Sequence, residues 1–167
     1  MNADTETTFG RPLWMVVLAA ASIAAIGMGL RQVMGLYMVP VTETLGLGRE
    51  SFALAIAIAN LVWGLSAPFT GAISDKYGTG IVVVFGAVTT SIGLLLMYFA
   101  QTDVDLFLSG IFMGFGVAGA GVNAVVGAVG RAASPDDRSA AIASVGMGAG
   151  VGILVALPYS HLLIEQL

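Results

Sequence analysis

Five long stretches that lack charged side chains, apart from one arginine, constrain the fold of this chain more than any other feature. They are residues 13–39, 52–74, 81–100, 106–130 and 140–164, and the arginine is Arg31. About 20 helical residues cross the hydrocarbon core of a bilayer, and each stretch reaches this length. The stretches are apolar throughout, whereas barrel strands alternate with polar residues, so they predict five transmembrane helices.

The composition excludes a water-soluble fold and a nucleic-acid-binding protein. Only 10% of the residues are charged and 57% are hydrophobic, whereas about a quarter of the residues in a soluble domain are charged. Six Lys and Arg face ten Asp and Glu, and no basic block exists. The absence of cysteine excludes disulfides and thiolate metal sites, and we expect neither a metal site nor a cofactor. The predicted fold class is an all-α integral membrane protein.

The distribution of basic residues predicts how the chain lies in the membrane. Residues 1–12 are expected to form a cytoplasmic tail and residues 13–167 a single transmembrane bundle. The tail and the loops on the same side hold Arg11, Lys76, Arg131 and Arg138. The opposite side holds only Arg49. Basic residues favour the cytoplasmic side, so we expect a cytoplasmic N-terminus in the inner, cytoplasmic membrane.

Arg31 is the one charged residue inside an apolar stretch. A charge at the centre of a membrane helix costs about 2.5 to 3.5 kcal/mol or more, so such a residue usually faces a water-filled cavity. The alternative is that its side chain reaches the outer interface near Val39. If Arg31 faces a cavity, its planar guanidinium would bind an anion, and a carboxylate fits its paired donors.

Three other polar or aromatic residues are candidates for a binding site. Asn60 and Trp63 lie three residues apart, so they share one face of the second predicted helix. They would contact a substrate if that face lines a cavity, or pack against another helix if it does not. Asn123 in the fourth stretch has the same two interpretations. With Arg31, these residues form the predicted substrate-binding set.

Glycines spaced four residues apart predict close helix packing in the fourth and fifth stretches. The pairs are Gly110 with Gly114, and Gly146 with Gly150. Small residues at this spacing let two membrane helices approach closely. Such contacts are also compatible with sliding during a transport cycle.

The loop after the second stretch carries the most specific motif. Residues 71–78 read Gly-Ala-Ile-Ser-Asp-Lys-Tyr-Gly. This motif resembles the signature between helices two and three of the major facilitator superfamily, although Thr79 and Gly80 replace its two final basic residues. The resemblance implies that the loop is a conformational latch between two transporter halves. Its residues here are Gly71, Asp75, Lys76 and Gly78, together with Arg131.

Two further segments resemble bacterial members related to the oxalate/formate antiporter and monocarboxylate transporter groups. They are residues 29–40 and 52–64. The resemblance implies an antiporter or symporter that moves a small organic anion, a monocarboxylate or dicarboxylate, by alternating access. Members have twelve spans in two halves, so it also implies that this chain is a partial N-terminal half whose C-terminal half is missing. The chain alone is then not expected to transport.

Two other functions are alternatives to a transporter. In the first, the glycine pairs drive self-association into a membrane scaffold or channel-like assembly, and Arg31 pairs across subunits. The second is an intramembrane enzyme that uses Ser66 and His161. Because Ser66 lacks the sequence setting of a nucleophile, no catalytic residue is expected. The dinucleotide-like pattern at 114–119 lies inside an apolar stretch without a preceding strand, so it is a coincidence.

Overall fold

A computed structural model describes residues 12–46 and 48–165 of the chain. This part of the chain forms six α-helices, which are α1 (Leu13–Leu45), α2 (Arg49–Tyr77), α3 (Thr79–Tyr98), α4 (Asp103–Ala120), α5 (Val122–Ala132) and α6 (Arg138–Glu165). The predicted tail, up to and including Arg11, lies outside the described residues.

Five helical stretches are long and apolar enough to cross a membrane, which confirms the predicted fold class. They are Leu13–Glu43, Arg49–Tyr77, Thr79–Tyr98, Asp103–Ala132 and Arg138–Leu163. The first helix extends furthest beyond its apolar stretch, because α1 continues through Pro40 to Leu45. Proline removes one backbone hydrogen bond there. The Thr42 hydroxyl donates to a carbonyl of the preceding turn, that of Met38, at 2.8 Å.

The fourth span consists of two helices. Gly121 separates α4 from α5 and has an extended backbone, with φ −77° and ψ 171°. The sequence predicts one uninterrupted helix over 106–130, because hydropathy reports the polarity of side chains and does not report the backbone conformation of a glycine. The structure therefore differs from the prediction at this residue.

The chain divides into two compact units. We call Val33–Ala120 the central unit; it holds the second part of α1 with α2, α3 and α4. We call the described residues of Met1–Gln32 and Gly121–Leu167 the terminal unit; it holds the first part of α1 with α5 and α6.

In the central unit, α4 packs closely against α2. A Cβ atom added at Gly110 would overlap the carbonyl oxygen of Ala55, and one added at Gly114 would lie 2.6 Å from that of Ala59. The contacting residues advance by four on both helices, so α2 and α4 run parallel where they meet. Only glycine permits this approach of one backbone to the other.

The other neighbour of α4 in the central unit is α3, which runs antiparallel to it. A Cβ atom at Gly119 would lie 2.8 Å from the Cα atom of Gly86. Further along, the Ser109 hydroxyl donates a buried hydrogen bond of 2.8 Å to the Gly93 carbonyl. The antiparallel arrangement follows from these contacts, since residue numbers rise on α4 as they fall on α3.

A capping box starts α4 beside the core of the central unit. The Thr102 amide donates to the Asp105 carboxylate at 2.9 Å, and the Asp105 amide donates to the Thr102 hydroxyl at 3.4 Å. These bonds satisfy amides that the first turn of a helix leaves without partners. The next residue, Leu106, is only 1% exposed and belongs to a cluster with Phe52 and Ala100. The cap therefore fixes where α4 enters the bundle.

In the terminal unit, α1 and α6 meet along a seam of small residues. A Cβ atom at Gly148 would lie 2.7 Å from the Cβ atom of Ala21, and one at Gly152 would overlap the backbone of Ala25. Gly29 continues the seam one turn further on, beside Gly152. The contacts advance by four residues on both helices, so α1 and α6 run parallel.

The seam uses a different glycine pair from the one expected. A Cβ atom at Gly146 or Gly150 would meet nothing within 4 Å in the described part of the chain. The contact with α1 falls on Gly148 and Gly152 instead. A shift of two residues turns a helix by about 200°, so the two pairs point in nearly opposite directions. Both pairs have the same four-residue spacing, and the sequence alone does not distinguish them.

Replacement of Gly152 by alanine tests the seam. Because the new methyl group would overlap the Ala25 backbone, we expect the free energy of unfolding to fall by about 1 to 3 kcal/mol. The matched control is Gly146→Ala in the same helix, where a Cβ atom meets open space. Alanine favours a helix over glycine by about 1 kcal/mol, so the control should be neutral or slightly more stable. Steric trapping in bicelles measures both, and equal destabilisation would contradict the seam.

Candidate functional site

The turn between α2 and α3 consists of one residue, Gly78. Its φ of 92° and ψ of 148° lie in a region that residues with a Cβ atom rarely adopt. The Gly78 amide donates to the Ser74 carbonyl at 3.0 Å and so closes the last turn of α2. Since α3 begins at the next residue, the chain reverses its direction within this single glycine.

A pair of hydroxyl groups links the two helices at this turn. Ser74 is 4% exposed, and its hydroxyl shares a hydrogen bond of 2.9 Å with the hydroxyl of Thr79. Next to this partly buried bond, Asp75 and Lys76 are exposed at the end of α2. The Lys76 ammonium lies 5.1 Å from the centroid of the Tyr77 ring, within the range of a cation–π contact. The turn is thus held by the Ser74–Thr79 hydrogen bond and exposes two charged side chains next to it.

The remaining predicted latch residues are distributed over the two units. Gly71 lies one helical turn before Asp75 on α2, and a Cβ atom there would meet nothing within 4 Å in the described residues. Arg131 is exposed in the last turn of α5 and belongs to the terminal unit. A cation at this end of a helix interacts favourably with the helix dipole. The grouping of Arg131 with Asp75 stays a prediction.

Arg31 lies near the middle of the 33-residue helix α1 and is half-buried. It follows the start of the helix by about 27 Å and precedes the end by about 21 Å. The apolar stretch around Arg31 ends at Val39, but α1 continues past that residue to Leu45.

The other predicted binding residues lie on two helices. Asn60 is exposed and Trp63 half-buried on α2, in the central unit. Asn123 is exposed in the first turn of α5, in the terminal unit with Arg31. Because the four residues belong to different units, their union in one site stays a prediction.

The comparisons with known proteins decide the family. The sequence model of the Major Facilitator Superfamily matches residues 15–167. The chain belongs to this superfamily. The match includes all five membrane-spanning stretches except the first residues of α1, and it confirms the family that the α2–α3 loop resembles.

Individual members of the superfamily are similar to this chain over part of their length. Mouse monocarboxylate transporter 11 is 31% identical over 106 residues, which cover 63% of this chain and 24% of that protein. The oxalate:formate antiporter of Oxalobacter formigenes is 27% identical over 148 residues, or 87% of this chain and 34% of the antiporter. Bovine monocarboxylate transporter 13 is 33% identical over 108 residues, covering 63% and 25% respectively.

The names of these relatives are those of transporters. The chain spans about a quarter to a third of the length of the relatives it matches. No solved structure matches it significantly.

Two features of this superfamily member escape reasoning from the sequence. One is the break at Gly121, and the other is the set of buried hydrogen bonds from hydroxyl groups, such as Ser109 to Gly93. The sequence signal for these hydrogen bonds between helices is weak, since serine and threonine hydroxyls in apolar helices also donate to carbonyls of their own helix. Ser144, for example, donates to Ala140 of the same helix at 2.8 Å.

Replacement of Gly78 by alanine tests the turn. Because its φ is 92°, we expect strain of about 1 to 3 kcal/mol and an equal fall in the free energy of unfolding. The control is Gly80→Ala, two residues on in α3, where a Cβ atom meets nothing within 4 Å among the described residues. Thermal unfolding in the same detergent measures both variants. A Gly78→Ala protein as stable as the control would contradict the assigned conformation.

Proposed function

We propose that the chain is part of a membrane transporter for small organic anions, monocarboxylates or dicarboxylates, which works by alternating access. The observation that carries the proposal is the position of Arg31 within α1 of a major facilitator protein. The names of its relatives, monocarboxylate transporters and an oxalate:formate antiporter, support carboxylates as the cargo.

Charge complementarity supports Arg31 as the anion-binding residue. The five apolar stretches contain no Asp or Glu, and Arg31 is the one charged residue within them. A guanidinium is always charged and offers donors in a planar fork that matches a carboxylate. A carboxylate held by Arg31 would therefore be bound by two parallel charge-assisted hydrogen bonds.

Asn60, Trp63 and Asn123 would complete the binding surface. An asparagine amide can donate to a second oxygen of the anion, and an indole ring offers an apolar wall and one donor. Asn60 and Asn123 are exposed and Trp63 is half-buried, so each side chain is accessible at the surface of its helix. In this proposal they select the anion by size, while Arg31 supplies the charge.

The α2–α3 turn would act as the cytoplasmic latch of the transport cycle. Asp75 and Lys76 carry exposed charges on a turn that Gly78 and the Ser74–Thr79 bond make rigid. Gly71 on the same helix and Arg131 at the end of α5 would complete the latch. With this turn on the cytoplasmic side, the N-terminus would also lie in the cytoplasm, and the protein would lie in the inner membrane.

Further helices would complete the pathway. Secondary transporters hold their substrate at the interface between two repeats. The relatives are about three to four times as long as the segment that they share with this chain. We therefore assign the second wall of the site to a C-terminal transporter half, as the partner of these helices.

The Arg31→Lys variant tests the binding residue. Lysine keeps the charge but loses the fork, so we expect carboxylate affinity to fall roughly tenfold. Equilibrium dialysis of the purified chain against labelled formate, oxalate and lactate measures the affinity of each variant. Arg49→Lys, an exposed arginine at the start of α2, is the control and should leave affinity unchanged. Equal affinities of the Arg31→Lys and Arg49→Lys proteins would refute the assignment.

Proteoliposomes that contain only this chain test the need for further helices. We expect no saturable uptake of labelled formate or oxalate, because only one wall of the site would be present. Saturable uptake by the chain alone would contradict the proposal. Unsaturable leak from a closed oligomer of defined size would favour the channel-like assembly instead.

A further inference from the structure

The break in the fourth span leaves backbone groups that need partners. Because α4 ends at Ala120, its last four carbonyls have no amide of their own helix to bond. The carbonyl of Ala118 is one of them, and Ala118 is only 4% exposed. A carbonyl without a hydrogen bond is costly in apolar surroundings, so its partner decides whether the break is tolerated.

The partner of this carbonyl is a side chain on α2. Thr70 donates its hydroxyl hydrogen to the Ala118 oxygen at 3.1 Å, in a buried contact 48 residues apart in sequence. The same hydroxyl lies 3.1 Å from the carbonyl oxygen of Ala67, in its own helix. One hydroxyl hydrogen thus has two acceptors, one within α2 and one at the end of α4.

The last turn of α4 is also held by α3. Gly119 contacts the backbone of Val82 and Gly86, where a Cβ atom would lie 2.7 Å from the Val82 carbonyl oxygen. At the start of α5, the Ala124 amide donates to the Gly121 carbonyl at 3.2 Å. Among the contacts at the end of α4, Thr70 supplies the hydrogen bond.

We propose that Thr70 is a positioning residue that keeps the fourth span broken at Gly121 by donating its hydroxyl hydrogen to the Ala118 carbonyl. When the hydroxyl turns to Ala67 instead, the Ala118 carbonyl takes the amide four residues on, that of Val122, and the helix becomes continuous. The hydrogen bond from Thr70 therefore favours the broken span over the continuous one. This role is independent of the anion and of Arg31.

The Thr70→Val variant tests the proposal, because valine keeps the shape of threonine and removes the hydroxyl. We expect Gly121 to become helical and exchange of the Val122 amide with solvent to slow roughly two- to tenfold, as one helical hydrogen bond forms. NMR of the chain in nanodiscs, with ¹³C-carbonyl alanine and ¹⁵N-glycine, observes three bonds, Ala118–Gly119, Ala120–Gly121 and Ala149–Gly150. The Ala120 carbonyl should move downfield, toward the Ala149 carbonyl inside α6.

Two controls isolate the hydroxyl of Thr70. Thr70→Ser restores it and should give the native spectrum. Thr89→Val removes a hydroxyl that is equally buried but bonds to carbonyls of its own helix, such as that of Phe85 at 2.9 Å, and should leave the Ala120 resonance unchanged.

Two outcomes would overturn the role of Thr70. The first is an unchanged Ala120 resonance in Thr70→Val, and the second is a shift toward disordered values with faster Val122 exchange. If Thr70→Val does not fold, Thr70→Ala removes the same hydroxyl with less steric change, and the same expectations apply to it.

Discussion

Close backbone contact between helices is the interaction on which this structure depends. Lipid tails are as apolar as leucine, so burial of apolar side chains supplies little attraction between helices inside a bilayer. What remains is dispersion between atoms in direct contact, which grows as backbones approach. Glycine makes that approach possible where α4 meets α2 at Gly110 and α3 at Gly119, and where α6 meets α1 at Gly152. Hydroxyl groups of serine and threonine then add hydrogen bonds across the same contacts.

The sequence predicts the parts of the fold that depend on polarity. The apolar stretches identify the five spans because bilayer thickness sets their length, and the structure confirms them. The loop motif from Gly71 to Gly78 identifies the superfamily, which the family match confirms. Both predictions rest on the polarity of residues and on their order along the chain. Neither requires knowledge of which residues meet in the folded protein.

Features that depend on geometry are not predicted from the sequence. Gly146 and Gly148 are indistinguishable by composition and spacing, and only the rotation of α6 decides that Gly148 meets α1. The conformation of Gly121 likewise depends on neighbours from distant parts of the chain. The candidate site has the same limit, since Arg31 is recognisable as an isolated charge but the groups around it depend on how helices assemble.

The parallel contact between α1 and α6 has a consequence for biosynthesis. The helices of the central unit follow one another directly, so α2, α3 and α4 can pack as soon as α4 has left the ribosome. The first part of α1 packs against α6, the last described helix. Most of the sequence lies between these two contacting segments. Contacts of this kind close slowly, because a long intervening chain must be ordered first. The first part of the nascent α1, which contains Arg31, therefore remains in the translocon or the surrounding lipid without this contact until α6 has been synthesised.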